Sequence, residues 1–350
     1  MNSNYKPIAV GDTANLPNNV WLEWRKHGPK GDIPYTLGGS DVAAVFGVSP
    51  WVTPLELWKI KHGDMEVPEK TNKAQLEMGH LLEPIAAHFF AEKEGLYVYD
   101  DTNMYQHPNY PWALADVDRR YFTEDGEDAI LECKSTSFHK RDSWANYDKG
   151  NIAPYYYELQ LRYYMGIFNV NHGAFVCIWG SNPDNDMAIV YIERDLEIEE
   201  MIFKKCQAFI DSLYAGVPPK LEGVDPTLAI ESLKKIYAQG DKNLPEVEFG
   251  RKQEAKLRKL KKVSEKLTTS KAAVKELEEE FKKESVEIIE ILGEHEKGTL
   301  RAKDGTLYTV TYPTTLRTTV DSTRLKKEYP EIWEATKKVT SSRTFKIKTQ

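Results

Sequence analysis

Glu132 and Lys134 stand one residue apart in the apolar run ILECKST, residues 130–136. Side chains alternate faces along a strand, so Ile130, Glu132 and Lys134 share one face and Leu131, Cys133 and Ser135 the other. Asp118 ends the acidic stretch ADVD just before, and Glu83 lies in MGHLLEP, residues 78–84. Two carboxylates brought together suit a hard divalent cation such as Mg2+, which prefers oxygen ligands and keeps several waters. A lysine beside them can position or deprotonate a water, or offset charge on a phosphorane-like transition state. That is the logic of metal-assisted phosphodiester hydrolysis. The plainer alternative is a structural Glu–Lys pair on an exposed sheet face. A second feature is LGGSDVAAVFGVSP, residues 37–50, a glycine turn entering a helix. Free N–H groups and the helix dipole there favour an anion such as phosphate. The alternative is an ordinary capped turn.

The elements that must position these groups are legible from pattern. Ser40 is expected to cap a helix through DVAAVF to Gly47. Thr53 and Pro54 read as N-cap and first position of a helix ending at Gly63. Residues 74–94 read as a helix stopped by Gly95, started or kinked by Pro84. Strands are expected at 97–100, 111–122, 129–136, 173–180 and 186–194, with a hairpin turn at 125–128. A helix at 153–168, begun by Pro154, lies between the third and fourth strands, and another follows at about 196–214. This order predicts an α/β fold with a mixed central sheet flanked by helices.

The chain has 350 residues with a net charge of −7, which argues mildly against nucleic acid unless a local basic channel exists. Its three cysteines, Cys133, Cys177 and Cys206, form no CxxC pair, so a cysteine-built zinc or iron–sulfur site is not expected. No secretory signal and no membrane span are visible, which fits a cytoplasmic protein. Three regions are expected: a catalytic domain at 1–222, a helical, coiled-coil-like segment at 223–297 and a small α+β extension at 298–350. In the second, Leu260, Leu267, Val274, Phe281 and Ile288 recur every seven residues, with Val263, Leu277 and Ile291 in a second stripe. One long helix and a helical hairpin broken near LTTS both fit that pattern, as do packing on its own chain and self-association. The extension reads as a hairpin turning at Asp304-Gly305, a helix in DSTRLKKEYPEIWEATKK and a last strand, RTFKIK.

Five stretches in order carry a resemblance over roughly residues 20–180: WLEWRKHG followed by LGGSDVAAVFGVSPWVTPLELWKIKHG, MGHLLEPIAAHFFAEKEG, ALADVDRRYF, ILECKST and IAPYYYELQLRYYMGIFNV. Together they resemble the YqaJ-like, phage lambda exonuclease-type recombinases of the PD-(D/E)xK nuclease superfamily. The resemblance implies a restriction-endonuclease-like core. It also implies a Mg2+-dependent exodeoxyribonuclease, with Mn2+ as a substitute ion, that digests linear double-stranded DNA from the 5′ end. The single strand left would pass to a phage-type annealing protein in a bacterial host, and a homo-oligomer, such as a trimeric ring, is expected. An endonuclease on the same core and a non-catalytic DNA-binding accessory protein are the alternatives.

Carried onto this sequence, the resemblance makes Asp118 and Glu132 metal ligands and Lys134 the group that activates the nucleophile. The backbone carbonyl of Cys133 would also reach the metal, and Glu83 would hold a second metal or a water. Asp116 would support from outside, and His80 is a weaker candidate ligand. Gln160 would face the site, while Arg162 stands where relatives often have a second Gln and is a candidate phosphate contact. Arg25 and Ser40 would bind the 5′-terminal phosphate, across an insertion, PKGDIPYT. Trp51, Trp58, Tyr155 and Tyr156 are candidates for stacking on bases, or else core.

Overall fold

The computed structural model describes residues 5–67, 73–146, 150–238, 240–241, 243–316 and 319–337. In chain order the first elements are β1 (Ile8–Asp12), α1 (Asn18–His27), α2 (Gly39–Val45), α3 (Pro54–His62) and α4 (Lys73–Glu94). Strands β2 (Val98–Tyr99), β3 (Asn103–His107), β4 (Tyr110–Ala115), β5 (Arg119–Phe122) and β6 (Asp128–Ser135) follow. After the short strands β7 (Ala145–Asn146) and β8 (Gly150–Asn151) come α5 (Tyr155–Phe168), β9 (His172–Ile178), β10 (Met187–Glu193), α6 (Leu196–Tyr214) and α7 (Pro226–Ile236). The remainder is α8 (Arg251–Leu292), β11 (Lys297–Arg301), β12 (Leu307–Thr311), α9 (Ser322–Glu328) and α10 (Pro330–Thr336).

The chain forms two compact units, residues 1–237 and 238–350. In the first, a five-stranded sheet runs β10-β9-β6-β5-β2. β6 and β9 are parallel and joined through α5; the other pairs are antiparallel. This is the expected mixed sheet flanked by helices. The alternation in β6 is as the sequence implies. Ile130 enters a core shared with α2, α3, α5 and α6, while Leu131 and Cys133 enter a second core under α4. A parallel β-connection needs a covering helix, and α5 fills that place with Leu159, Leu161, Tyr163 and Ile167 fully buried.

Several local signals hold to the residue. Thr53 caps α3, its hydroxyl accepting from the Glu56 N–H at 3.1 Å. Gly63 and Gly95 stop α3 and α4 with φ of +87° and +68°. Pro84 lies inside α4 rather than starting it.

Three features differ from the sequence reading. The strand expected over 111–122 is two strands: β4 pairs with β3 in a separate sheet, β1-β3-β4, and β5 pairs with β6. Residues 116–118 cross between the sheets, which frees Asp116 and Asp118 from ladder geometry. The α2 cap is Gly38, whose N–H donates to the Asp41 carboxylate at 3.0 Å, so Ser40 is not the cap. The first unit also runs past residue 222. In α7, Ser232 bonds Thr53 at 2.8 Å, and Lys235 pairs with the buried Glu56 carboxylate at 2.8 Å.

In the second unit, α8 is one uninterrupted helix, so no break occurs near LTTS. The hairpin turns at Gly305, with φ of +89°. The expected last helix is two, α9 and α10, because Pro330 has no N–H to continue the first. The expected strand RTFKIK lies outside the described residues.

Candidate active site

β6 ends in a cleft of about 570 Å3 whose lining includes Glu83, Asp116, Asp118, Glu132, Lys134 and Gln160. Glu132 is the pivot. It is 1% exposed, and its Oε1 accepts from Lys134 Nζ and Gln160 Nε2, each at 2.5 Å. Its Oε2 is buried with no partner among the described residues. Such an oxygen is costly to leave unmatched. Asp118 arrives from the sheet-to-sheet crossing. Its Oδ2 accepts from the Cys133 N–H at 2.8 Å and lies 3.8 Å from Lys134 Nζ. In an extended strand a residue's N–H and C=O point to the same side. The Cys133 carbonyl is therefore turned toward Asp118, while its side chain is buried in the core under α4.

Burial raises the Glu132 carboxyl to about 8, with Asp118 and Glu83 adding to the shift and Lys134 opposing it. Burial works against the Lys134 ammonium, but Glu132 and Asp118 outweigh it and hold the lysine above its ordinary range. Glu83 is raised by burial and by Asp118, against the pull of His80, whose Nδ1 lies 3.0 Å away. Crowded carboxylates that resist ionisation are a site that a divalent charge would stabilise. The donor set fits a hard cation: an unpartnered Glu132 oxygen, the Asp118 carboxylate and a carbonyl turned the same way. Among the described residues no group of three or more His, Cys, Asp or Glu side chains is placed to hold a metal ion. An ion here would draw its remaining positions from water and substrate oxygens.

The other end of the cleft carries Arg25. Arg25 donates to Ser40 Oγ at 2.7 Å and stacks over Trp21 at 4.9 Å, and Trp21 Nε1 donates to Asp116 at 2.6 Å. The close approach depends on glycine at 39: a Cβ there would sit 2.5 Å from the Tyr164 ring on α5. Any phosphate held at this end meets Arg25 and Ser40 side chains, because Asp41 already occupies the helix N-terminus.

The structure therefore gathers Glu83, Asp118, Glu132, Lys134, Gln160, Arg25 and Ser40 into one cleft, with the Cys133 backbone at its wall. It does not bring Arg162 there. Gln160 and Arg162 are about 200° apart around α5, and Arg162 pairs with Glu158 at 2.8 Å and the Glu193 carbonyl at 2.9 Å. His80 lines the cleft, with a largely exposed side chain. Trp58 is core, 2% exposed, whereas Trp51 and Tyr155 are exposed and Trp51 packs edge-on to Tyr156. Residues that sequence reading passed over are Trp21, Tyr164, Arg119 and the segment 100–102. Trp21 and Tyr164 carried a signal, their i,i+4 spacing to Arg25 and to Gln160.

Residues 20–171 match the YqaJ-like viral recombinase domain. Over 342 residues, 97% of either chain, the protein is 30% identical to the uncharacterized protein YqaJ of Bacillus subtilis strain 168. The chain belongs to the YqaJ-like viral recombinase family. Among solved structures it is similar to LHK-Exo in complex with dAMP, at 20% identity over 63% of this chain and 98% of that one, TM-score 0.45. It is also similar to a phage-related exonuclease of Haemophilus somnus 129PT, at 15% identity over 51% of this chain and 93% of that one, TM-score 0.40. In this YqaJ-family chain the cleft's lining falls within the matched domain except for Thr13 and Ala14. Among the described residues no helix is long and apolar enough to cross a membrane.

Proposed function

We propose that this protein is a Mg2+-dependent exodeoxyribonuclease. It degrades one strand of linear duplex DNA from the 5′ end, and the strand left behind feeds a phage-type annealing protein. The observation that carries the reading is the buried, unpartnered Glu132 oxygen beside Asp118, with Lys134 held against both. The structural pair Glu56–Lys235 also leaves one carboxylate oxygen unmatched; what distinguishes Glu132 is the second carboxylate, Asp118, set beside the same lysine in an open cleft. Membership of a recombinase family supports DNA as the substrate.

In this reading Asp118, Glu132 and the Cys133 carbonyl hold Mg2+, or Mn2+ in its place, with Glu83 across the cleft holding a water. The ion, when bound, supplies positive charge against the phosphate being cleaved. Lys134 keeps its ammonium directed at the same space, where it orients the attacking water and offsets charge on the phosphorane. Gln160 fixes the Glu132 rotamer through its 2.5 Å bond. Arg25 and Ser40, already hydrogen-bonded to one another, take the 5′-terminal phosphate and set which bond is cut. The first unit would serve as the subunit of a homo-oligomer; a trimeric ring around DNA is the expected form.

The test is end-labelled linear duplex with Mg2+ and with EDTA. Release of nucleotides from the 5′ end, abolished by EDTA, is expected. Cutting of a duplex whose 5′ ends are blocked would show an endonuclease on the same core. Binding without cutting in Mg2+ or Mn2+ would leave a DNA-binding accessory protein.

A further inference from the structure

The cleft leaves unexplained the longest helix of the molecule. α8 spans 42 residues, and Leu260, Val263, Leu267, Val274, Leu277, Phe281, Ile288 and Ile291 along it are all exposed. At ~1.5 Å per residue this stripe is about 46 Å long. Its seven-residue spacing is that of a two-helix seam, the alternation called a and d.

The charges say which way a partner must run. Residues 251–275 hold ten Lys or Arg and two Glu, whereas 276–292 hold seven Glu and two Lys. Positive charge at a helix N-terminus and negative charge at its C-terminus both oppose the helix dipole. Alone, α8 carries an unfavourable charge order; against a helix running the opposite way, every basic stretch faces an acidic one.

We propose that α8 pairs with α8 of a second copy of this chain as an antiparallel two-helix coil, with its two-fold axis between Lys275 and Glu276 and their counterparts. The register follows from the seam. Leu260 faces Ile291, Val263 faces Ile288 and Val274 faces Leu277. The two breaks in the second stripe then fall into place: small Ser270 lies opposite bulky Phe281, and Glu284 lies opposite Leu267 beside the basic flank. On the flanks Lys266 meets Glu287 and Lys271 meets Glu278. A parallel pair would instead put Lys266 against Lys271, twice. A two-fold contact is self-complementary, and each of these pairs occurs twice in it. The β11–β12 hairpin leaves the seam clear, because it buries Leu292, on the flank, while Ile288 and Ile291 stay exposed.

The experiment uses the full chain and measures its mass in solution against concentration. One variant carries Lys266→Glu and Lys271→Glu, the other Glu278→Lys and Glu287→Lys. Each variant alone places like charges at four contacts, so each should dissociate at a concentration at least about tenfold higher than wild type. Mixed in equal amounts they should pair as wild type does, since every contact is again of opposite sign. A ring built through the first unit would set a mass that these substitutions leave alone, so the difference between variants and wild type reads the helix pairing. Direction is read separately: a Leu260→Cys chain should form a disulfide with an Ile291→Cys chain and not with itself. Unchanged self-association in both variants, no association of wild type, or a Leu260→Cys self-disulfide would each overturn the proposal.

Discussion

At the scale of the residue, the chemistry rests on how Glu132 is buried. A carboxylate with one oxygen saturated by Lys134 and Gln160 and the other unmatched is poised to take a cation, and it is unfavourable without one. Lys134→Ala should cut duplex digestion by about 10²–10³-fold, the scale of losing one transition-state charge donor. Binding of the duplex should persist, since Arg25 and Ser40 are untouched, and the fold should survive because Glu132, already raised to about 8, can keep its proton. Gel shift and circular dichroism alongside the digestion assay check all three; normal cleavage would remove Lys134 from the site. Ser40→Ala should leave digestion of a 5′-hydroxyl end unchanged and reduce the advantage of a 5′-phosphate by about tenfold, one charge-assisted hydrogen bond. Rates on paired substrates that differ only at that end decide it.

At the scale of elements, the site depends on contacts that spacing cannot express. Glu132 and Lys134 were legible because a two-residue alternation puts them on one face, whereas Gln160 was legible only through the family resemblance; it lies on the helix that covers the parallel β6–β9 connection. The break at 116–118 was not legible, since an apolar, aromatic run reads as a single strand until its two halves find different partners. Nor was the exile of Arg162, because motif order counts positions in the chain and not faces of the helix. Gly39 marks where α2 meets α5. Gly39→Ala would drive a Cβ to 2.5 Å from the rigid Tyr164 ring and should cost about 1–3 kcal/mol. With Tyr164→Leu present the same substitution should cost clearly less, and denaturant unfolding of the four chains measures the coupling. His107 makes a second test. It is buried among Tyr5, Tyr110 and Phe203, and burial lowers it to about 4. Unfolded, it protonates near 6.5, so it favours the folded state above that pH, and this contribution is lost as pH falls from about 6.5 to 4. His107→Phe should flatten the acid limb of the stability curve by up to about 3 kcal/mol, read as unfolding midpoints across that range.

At the scale of the whole molecule, the question is where the catalytic body ends. A boundary at 222 follows the composition of the chain, which turns to Lys, Glu and Leu further on, but it cuts off α7. That helix is tied to α3 by a buried contact, Ser232 to Thr53, and by an ion pair of the half-exposed Lys235 with the buried Glu56. Glu56 is 1% exposed, and its Oε2 has no partner, so Lys235 is the cation that its carboxylate depends on. A chain ending at 237 should therefore keep the cleft intact and digest duplex DNA at close to the full-length rate per active site. A chain ending at 222 strands the Glu56 charge and the Thr53 hydroxyl, with an expected loss of about 3–5 kcal/mol for the unpaired buried charge alone. Restoring that loss with Glu56→Gln in the shorter chain, and not in the longer one, would tie the defect to this contact rather than to the length removed. Thermal unfolding of the four proteins gives the answer. Equal stability of the two truncations would mean that α7 adds nothing to the nuclease body.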